Sequence, residues 1–142
     1  QAVGAFESPL EPGRSVRIEP LRLVVRCRLQ PIEPAALTKK KRSPAVQLDW
    51  DKVEPPLIVR NIRRGDRFAP LGLKGSKKVG DYLTDRKAHR VYRDEIPVVC
   101  DSNGIVWLVG YEIADRVKVD AATKRVVEIE SRKQRQGPKN AV

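Results

Sequence analysis

Between Leu21 and Leu29 the chain reads LRLVVRCRL, with Leu21, Leu23, Val25, Cys27 and Leu29 at one parity and Arg22, Arg26 and Arg28 at the other. A period of two puts the apolar set on one face of an extended strand and the arginines on the opposite face, so this run can be buried on one side only. Pro12-Gly13 ahead of it and Pro31 to Pro34 behind it are turn punctuation. The same alternation returns at Val46, Leu48 and Trp50, before a Pro55-Pro56 break and the apolar start at Leu57. Further on, IPVVC (96–100) and IVWLVG (105–110) flank Asp101-Ser102-Asn103-Gly104, a hairpin signal because Asn-Gly adopts positive φ angles at little cost. Val117 to Val119 and Val126 to Ile129 predict a second hairpin, joined around 120–124. The expected fold class is α+β, made mainly of antiparallel strands and hairpins with one prominent helix.

That helix is expected just after Gly75-Ser76, where the period changes. Val79, Tyr82 and Leu83 make a short apolar stripe at helical spacing, Ser76 is in position to be the N-cap, and the helix should end near Lys87 or Ala88. Lys77 and Lys78 then fall at a helix entrance, where the backbone dipole disfavours cations. A glycine-rich turn feeding a helix, with Gly72, Gly75 and Ser76 allowing close approach and Lys74, Lys77 and Lys78 adding charge, reads as an anion site. A merely solvated basic helix end is the plainer alternative.

Charge points the same way. The 142 residues carry 29 Lys and Arg against 18 Asp and Glu, a net +11 with a pI near 10.1, which calls for a polyanionic partner, nucleic acid before membrane. Between Arg60 and Arg93 eleven basic residues face three acidic ones, so one quarter of the chain holds most of the excess. The run Lys39 to Arg42 reads as a solvated loop. No apolar run approaches the roughly 18 residues of a membrane helix, so a soluble, cytoplasmic protein without membrane contact is expected. The chain has no Met and starts at Gln1, as a processed protein or a piece of a longer one would.

Catalytic patterns are sparse. GLKGSKK lacks the G-x-x-x-x-G-K-[ST] spacing of a nucleotide loop, and Arg64-Gly65-Asp66 reads as a turn ahead of Phe68. His89 has no suitable Ser or Cys partner, and Asp81 and Asp85, four apart, are better read as solvated ion-pairing residues than as metal ligands. Cys27 and Cys100 lie inside alternating apolar runs and are expected to be buried free thiols, and no metal site is expected.

The order PLIVRNIRRGDRFAPLGLKGSKKVGDYLTDRK, then RDEIPVV, then GIVWLVG resembles the C-terminal region of bacterial tRNA(Ile)-lysidine synthetase, best from about Leu48 to Val119. Leu73, His89 and Glu112 depart from the family pattern. The resemblance implies a domain similar to one in the phenylalanyl-tRNA synthetase β subunit, which binds tRNA through its acceptor stem. The parent enzyme of that family attaches lysine to the wobble cytidine of tRNA(Ile) using ATP and Mg in an N-terminal catalytic domain, whose SGGxDS loop this chain lacks. The resemblance therefore implies a chain without catalytic residues or cofactor of its own, with tRNA and the parent's N-terminal catalytic domain as partners. A free-standing RNA-binding or ribosome-associated module is the alternative.

The matching residues divide by chemistry. Phe68, Leu71, Val79 and Trp107 are expected in the core, Gly65 and Gly72 as backbone devices, and Asp66 in a local pair with an arginine. The RNA-phosphate set is Arg60, Arg63, Arg64, Arg67, Lys74, Gly75, Ser76, Lys77, Lys78 and Arg93. The expected organisation is a strand-rich N-terminal lobe with a basic loop (1–45), a lysidine-synthetase-like C-terminal domain (46–130) and a disordered basic tail (131–142).

Overall fold

The computed structural model describes residues 4–32, 45–88, 93 and 95–134. Among these the strands pair throughout in antiparallel fashion and build two four-stranded sheets and one two-stranded ribbon. The first sheet has the order β1 (Glu7–Leu10), β5 (Leu57–Asn61), β8 (Pro97–Asp101), β9 (Gly104–Leu108). The second has the order β2 (Arg14–Ile18), β3 (Leu23–Pro31), β10 (Arg125–Lys133), β4 (Ala45–Asp49). The ribbon pairs β6 (Arg67–Phe68) with β7 (Lys77–Lys78), and the helix α1 (Val79–Asp85) follows β7 directly.

The alternation of β3 is realised: Leu23, Val25 and Cys27 are buried while Arg26 and Arg28 are exposed. Leu29, expected inward with them, is 36% exposed, because the neighbouring β2 reaches only as far as Cys27 and leaves the end of β3 uncovered on that side. Leu21 is buried, but in a 3-10 turn (Glu19–Leu21) closed by Arg22 at φ 50°. Both cysteines are free and buried, and burial pushes the Cys27 thiol up to about 12.

The hairpin of β8 and β9 forms as its sequence predicts, with Asp101 opposite Gly104. Positive φ falls on Gly104, at 127°, and not on Asn103, so the glycine alone takes the angle that the Asn-Gly signal anticipates. The Asp101 carboxylate is buried beneath this turn. It accepts from Arg116 Nη1 and Nη2 at 3.0 and 2.7 Å and from the backbone amides of Glu54 and Asn103 at 3.0 and 2.8 Å.

The second predicted hairpin does not form. Val117 closes a 3-10 turn (Asp115–Val117), residues 118–119 are not a strand, and Val126 to Ile129 belong to β10, which lies between β3 and β4. Central placement lets β10 bury Val127 and Ile129 under two neighbours, which a local hairpin with one would not do. Strand β10 also runs past the expected start of the tail: Ser131 pairs with Val25 and is buried, and the Gln134 amide donates to the Arg22 carbonyl at 2.6 Å. Residues 135–142 and the Lys39 to Arg42 run lie outside the described residues.

Strands from the first 31 residues enter both sheets, β1 beside β5, and β3 beside β10 with β2 on its other edge. A boundary at 45 therefore falls inside one interleaved pair of sheets, whose buried side chains form one contiguous cluster.

Candidate nucleic-acid interface

The strand β5 ends in the turn Arg63-Arg64-Gly65-Asp66, closed by the Asp66 amide donating to the Arg63 carbonyl at 3.0 Å, with Gly65 at φ 87°. A side chain at that angle would be strained, so glycine is needed there. The Asp66 carboxylate locks the turn from within. It accepts from the Arg63 amide at 2.7 Å and from Arg60 Nη1 and Nη2 at 2.9 and 3.0 Å. Burial pushes the Asp66 carboxyl up, but these donors outweigh it and hold it below the ordinary carboxylate value. Arg60 itself is 8% exposed and also donates to the Asn61 carbonyl. Of the ten residues expected to meet phosphate, Arg60 is thus committed to the fold: its guanidinium is the partner expected for Asp66.

The helix α1 is shorter and starts later than its sequence suggests. It has seven residues, its N-cap is Lys78 without a side-chain cap, and Ser76 instead accepts through Oγ from Arg67 Nε at 3.0 Å. Arg67 Nη2 also donates to the Ser76 carbonyl, so the β6–β7 ribbon uses Ser76 to close its loop. Lys77 and Lys78 sit in extended backbone ahead of the first helical turn, which carries Asp81 as the dipole prefers. The two lysines thus precede the helix, Lys78 as its N-cap and Lys77 one residue outside it, and Ser76 is engaged by Arg67 instead of capping α1.

Extended backbone sends the two lysines to opposite sides of α1. Lys77 bonds Asp85 and lines a groove of about 360 Å³ with Leu71, Leu73, Tyr82 and Glu112. Lys78 lines a groove of about 480 Å³ with Arg63, Arg64 and Arg93, floored by Gly65 and Gly80. Here four of the expected phosphate residues converge from three separate stretches of chain. Arg63 is paired with the exposed Glu7 at 2.7 Å. Arg93 Nη2 donates to Thr84 Oγ1 and the Ala88 carbonyl, while its buried Nε has no hydrogen-bond partner among the described residues. Among the described residues Arg64 and Lys78 have no ion-pair partner. Asp81 also lines the groove. Gly75, at φ 89°, turns the loop ahead of β7, and Lys74 lies on that loop; neither lines either groove.

The core expectations hold for Phe68, Val79 and Trp107, which are at most 5% exposed. Phe68 and Tyr82 meet edge to face at 5.4 Å. Leu71 does not: it is 47% exposed and Leu73 43%. Glu112, one of the departures, accepts from Arg86 at 3.3 Å, and Arg86 also lies over the Tyr82 ring. Asp85 is paired with Lys77, as the solvated-pair reading expects, whereas Asp81 has no ion pair among the described residues. His89 lies outside the described residues.

A second basic surface was only half legible. On the outer face of the β2-β3-β10-β4 sheet a groove of about 420 Å³ is lined by Arg14, Arg26, Arg28 and Arg132, interleaved with Glu128 and Glu130. Alternation in β3 placed Arg26 and Arg28 there. Arg132 falls in the segment from Ser131 that lacks apolar periodicity, yet it pairs with Val24 as part of β10.

The family model of the TilS substrate C-terminal domain matches residues 57–130, just over half of the chain, and spans α1 and both grooves beside it. The chain belongs to the TilS substrate C-terminal domain family. It is 36% identical over 118 residues to a tRNA(Ile)-lysidine synthase of Parabacteroides distasonis, covering 83% of this chain and 26% of that protein. It is 38% identical over 109 residues to the tRNA(Ile)-lysidine synthase of Dehalococcoides mccartyi, covering 77% and 23%. The chain thus spans about a quarter of the length of these curated relatives. The fold is that of a crystal structure of a TILS C-terminal domain, with a TM-score of 0.79 at 23% identity over 94% of this chain and all of that one. An N-terminal fragment of the phenylalanyl-tRNA synthetase β subunit from Pyrococcus horikoshii shares it more distantly, with a TM-score of 0.61 at 17% identity over 87% of this chain and 46% of that one.

Proposed function

We propose that this TilS C-terminal domain is the tRNA-binding part of a tRNA(Ile)-lysidine synthase, and that it grips the acceptor-stem backbone of tRNA(Ile) through the groove between the Arg63–Asp66 turn and α1. In this reading the chemistry, lysine transfer to the wobble cytidine with ATP and Mg, belongs to an N-terminal catalytic domain of the parent protein, which works in the cytoplasm.

The observation that carries the reading is the convergence of Arg63, Arg64, Lys78 and Arg93 on one groove, with Arg64 and Lys78 free of ion-pair partners among the described residues. A phosphate supplies the counter-charge that Arg64 and Lys78 lack. Four cations around one groove suit an A-form stem, which is recognised through phosphates and 2′-hydroxyls more than through base edges.

The test is binding of the purified chain to tRNA(Ile) with a CAU anticodon and to elongator tRNA(Met) across a salt series. About four to six phosphate contacts give a slope of log K against log salt of roughly −3 to −5. Because the two anticodon loops are alike, a preference for tRNA(Ile) supports recognition at the acceptor stem. A slope near zero overturns the phosphate groove, and equal affinity at a steep slope favours a general RNA-binding module.

A further inference from the structure

We infer that Asp81 accepts a hydrogen bond from a ribose 2′-hydroxyl of the strand whose phosphates meet the arginine groove, so that the groove takes RNA in preference to DNA. The inference rests on the RNA-binding reading above. Asp66 and Asp81 both line the groove of about 480 Å³ that holds Arg63, Arg64, Lys78 and Arg93. Their carboxylates are in opposite states. The Asp66 side chain is 13% exposed and is occupied by the Arg63 amide and both terminal nitrogens of Arg60. Asp81 is exposed, and among the described residues it accepts no hydrogen bond and makes no ion pair. The two lysines spaced to pair with it are turned elsewhere. Lys77, four residues before it, bonds Asp85, and Lys78, three before it, stands in extended backbone at φ −65° and ψ 136°, outside the helical turn in which such a pair meets.

Chemistry selects what faces this carboxylate. An ionised carboxylate only accepts, and beside a phosphate strand it is repelled unless the strand brings it a donor. Phosphate and sugar-ring oxygens are acceptors too, so along a nucleic-acid backbone the 2′-hydroxyl is the donor, and DNA lacks it. In an A-form stem these hydroxyls line the wide, shallow minor groove. Four cations with one unpaired carboxylate among them match a strand that alternates anion and hydroxyl. The cations alone would hold any polyanion, whereas Asp81 penalises one without the hydroxyl. The helix dipole accounts for an acid in the first turn of α1, but an Asp81 that served the helix alone would leave binding indifferent to the sugar.

The experiment compares binding of a short RNA duplex with binding of the same duplex carrying 2′-fluoro sugars throughout, which keeps the A form and removes the hydroxyl donors, using the wild-type chain and Asp81→Ala. The wild type is expected to favour the hydroxyl duplex by roughly tenfold, the worth of one hydrogen bond to a charged acceptor. Asp81→Ala is expected to bind the two duplexes within about twofold of each other, and to bind the fluoro duplex more tightly than the wild type does, because the repulsion of phosphate is gone. Equal binding of the two duplexes by the wild type, or a preference that survives Asp81→Ala, overturns the hydroxyl assignment, while a steep salt slope leaves the phosphate groove standing. Absence of salt-dependent binding to either duplex overturns both. A wild type that discriminates against an RNA duplex with inosine in place of guanine, and not against the fluoro duplex, would mean that Asp81 meets a base amino group, and the assignment is wrong.

Discussion

Arg60 and Asp66 meet in a double hydrogen bond, Nη1 to Oδ2 at 2.9 Å and Nη2 to Oδ1 at 3.0 Å, with both side chains at most 13% exposed. The pair closes the turn that presents Arg63 and Arg64, and it removes Arg60 from the surface. Taking away one partner strands the other charge, a change of about 3 kcal/mol or more for a buried pair. Asp66→Ala and Arg60→Ala should therefore both lower stability by about that amount in urea unfolding. A stably folded Arg60→Ala protein with a shallower salt slope for RNA would reverse the assignment and return Arg60 to the phosphate set.

Arg64 and Lys78 carry the opposite expectation. Both are exposed, so replacing the two together with Ala should change stability by less than about 0.5 kcal/mol. The salt slope for tRNA should fall by about one to two units, since each lost phosphate contact removes close to one released counterion. Lys77→Ala breaks only an exposed pair with Asp85 and should leave the slope nearly unchanged.

Acid should loosen the domain at two points. Burial pushes the Asp101 and Asp66 carboxyls up, yet the Arg116 and Arg60 guanidiniums and the backbone amides around them bring both below the ordinary carboxylate value. A carboxylate with a depressed folded pKa adds stability above its unfolded value near 3.9, and that stability is lost as pH falls through the folded value. Thermal unfolding should thus be nearly flat from pH 7 to about 5 and should drop below about 4. Asp101→Asn should flatten the drop, at the cost of lower stability at neutral pH.

Two glycines near the grooves should respond with opposite signs. Gly72 has φ 84°, so Gly72→Ala imposes the left-handed penalty of about 1–2 kcal/mol although nothing lies within 4 Å of the added methyl. Gly80, inside α1 with equally open space, has no such angle, and Gly80→Ala should stabilise by roughly 0.5–1 kcal/mol. Differential scanning calorimetry of the two variants decides the signs.

Cys27 is 2% exposed and its thiol is pushed up to about 12 by burial, and Cys100 is 4% exposed. Alkylation at pH 8 should be slow in the folded protein and should accelerate in step with loss of structure in denaturant. Rapid labelling under native conditions would mean that β3 or β8 opens locally.

Much of the fold was legible because a period of two has one cause, a strand buried on one side. Leu23, Val25 and Cys27 of β3, and the β8–β9 hairpin around Asn103-Gly104, were set by their own neighbours in the chain. The arginine pair Arg63 and Arg64, with Lys78, could be named as candidates because charge and turn glycines are local properties. Sheet order was not local. β10 runs between β3 and β4, and its apolar residues match strands some 80 to 100 positions earlier, so Val126 to Ile129 could not be distinguished from one arm of a short hairpin. The same holds for the site. Whether an arginine is a free cation or a structural one depends on what tertiary packing brings beside it, and Asp66 took Arg60 while leaving Arg64 alone. Likewise Leu71 reads as core by composition, and only the hydrogen bonds from its loop to Ile113 and Asp115, some 40 residues away, hold it in solvent. Apolar character is a property of the residue, whereas burial is a property of the neighbours that the fold supplies.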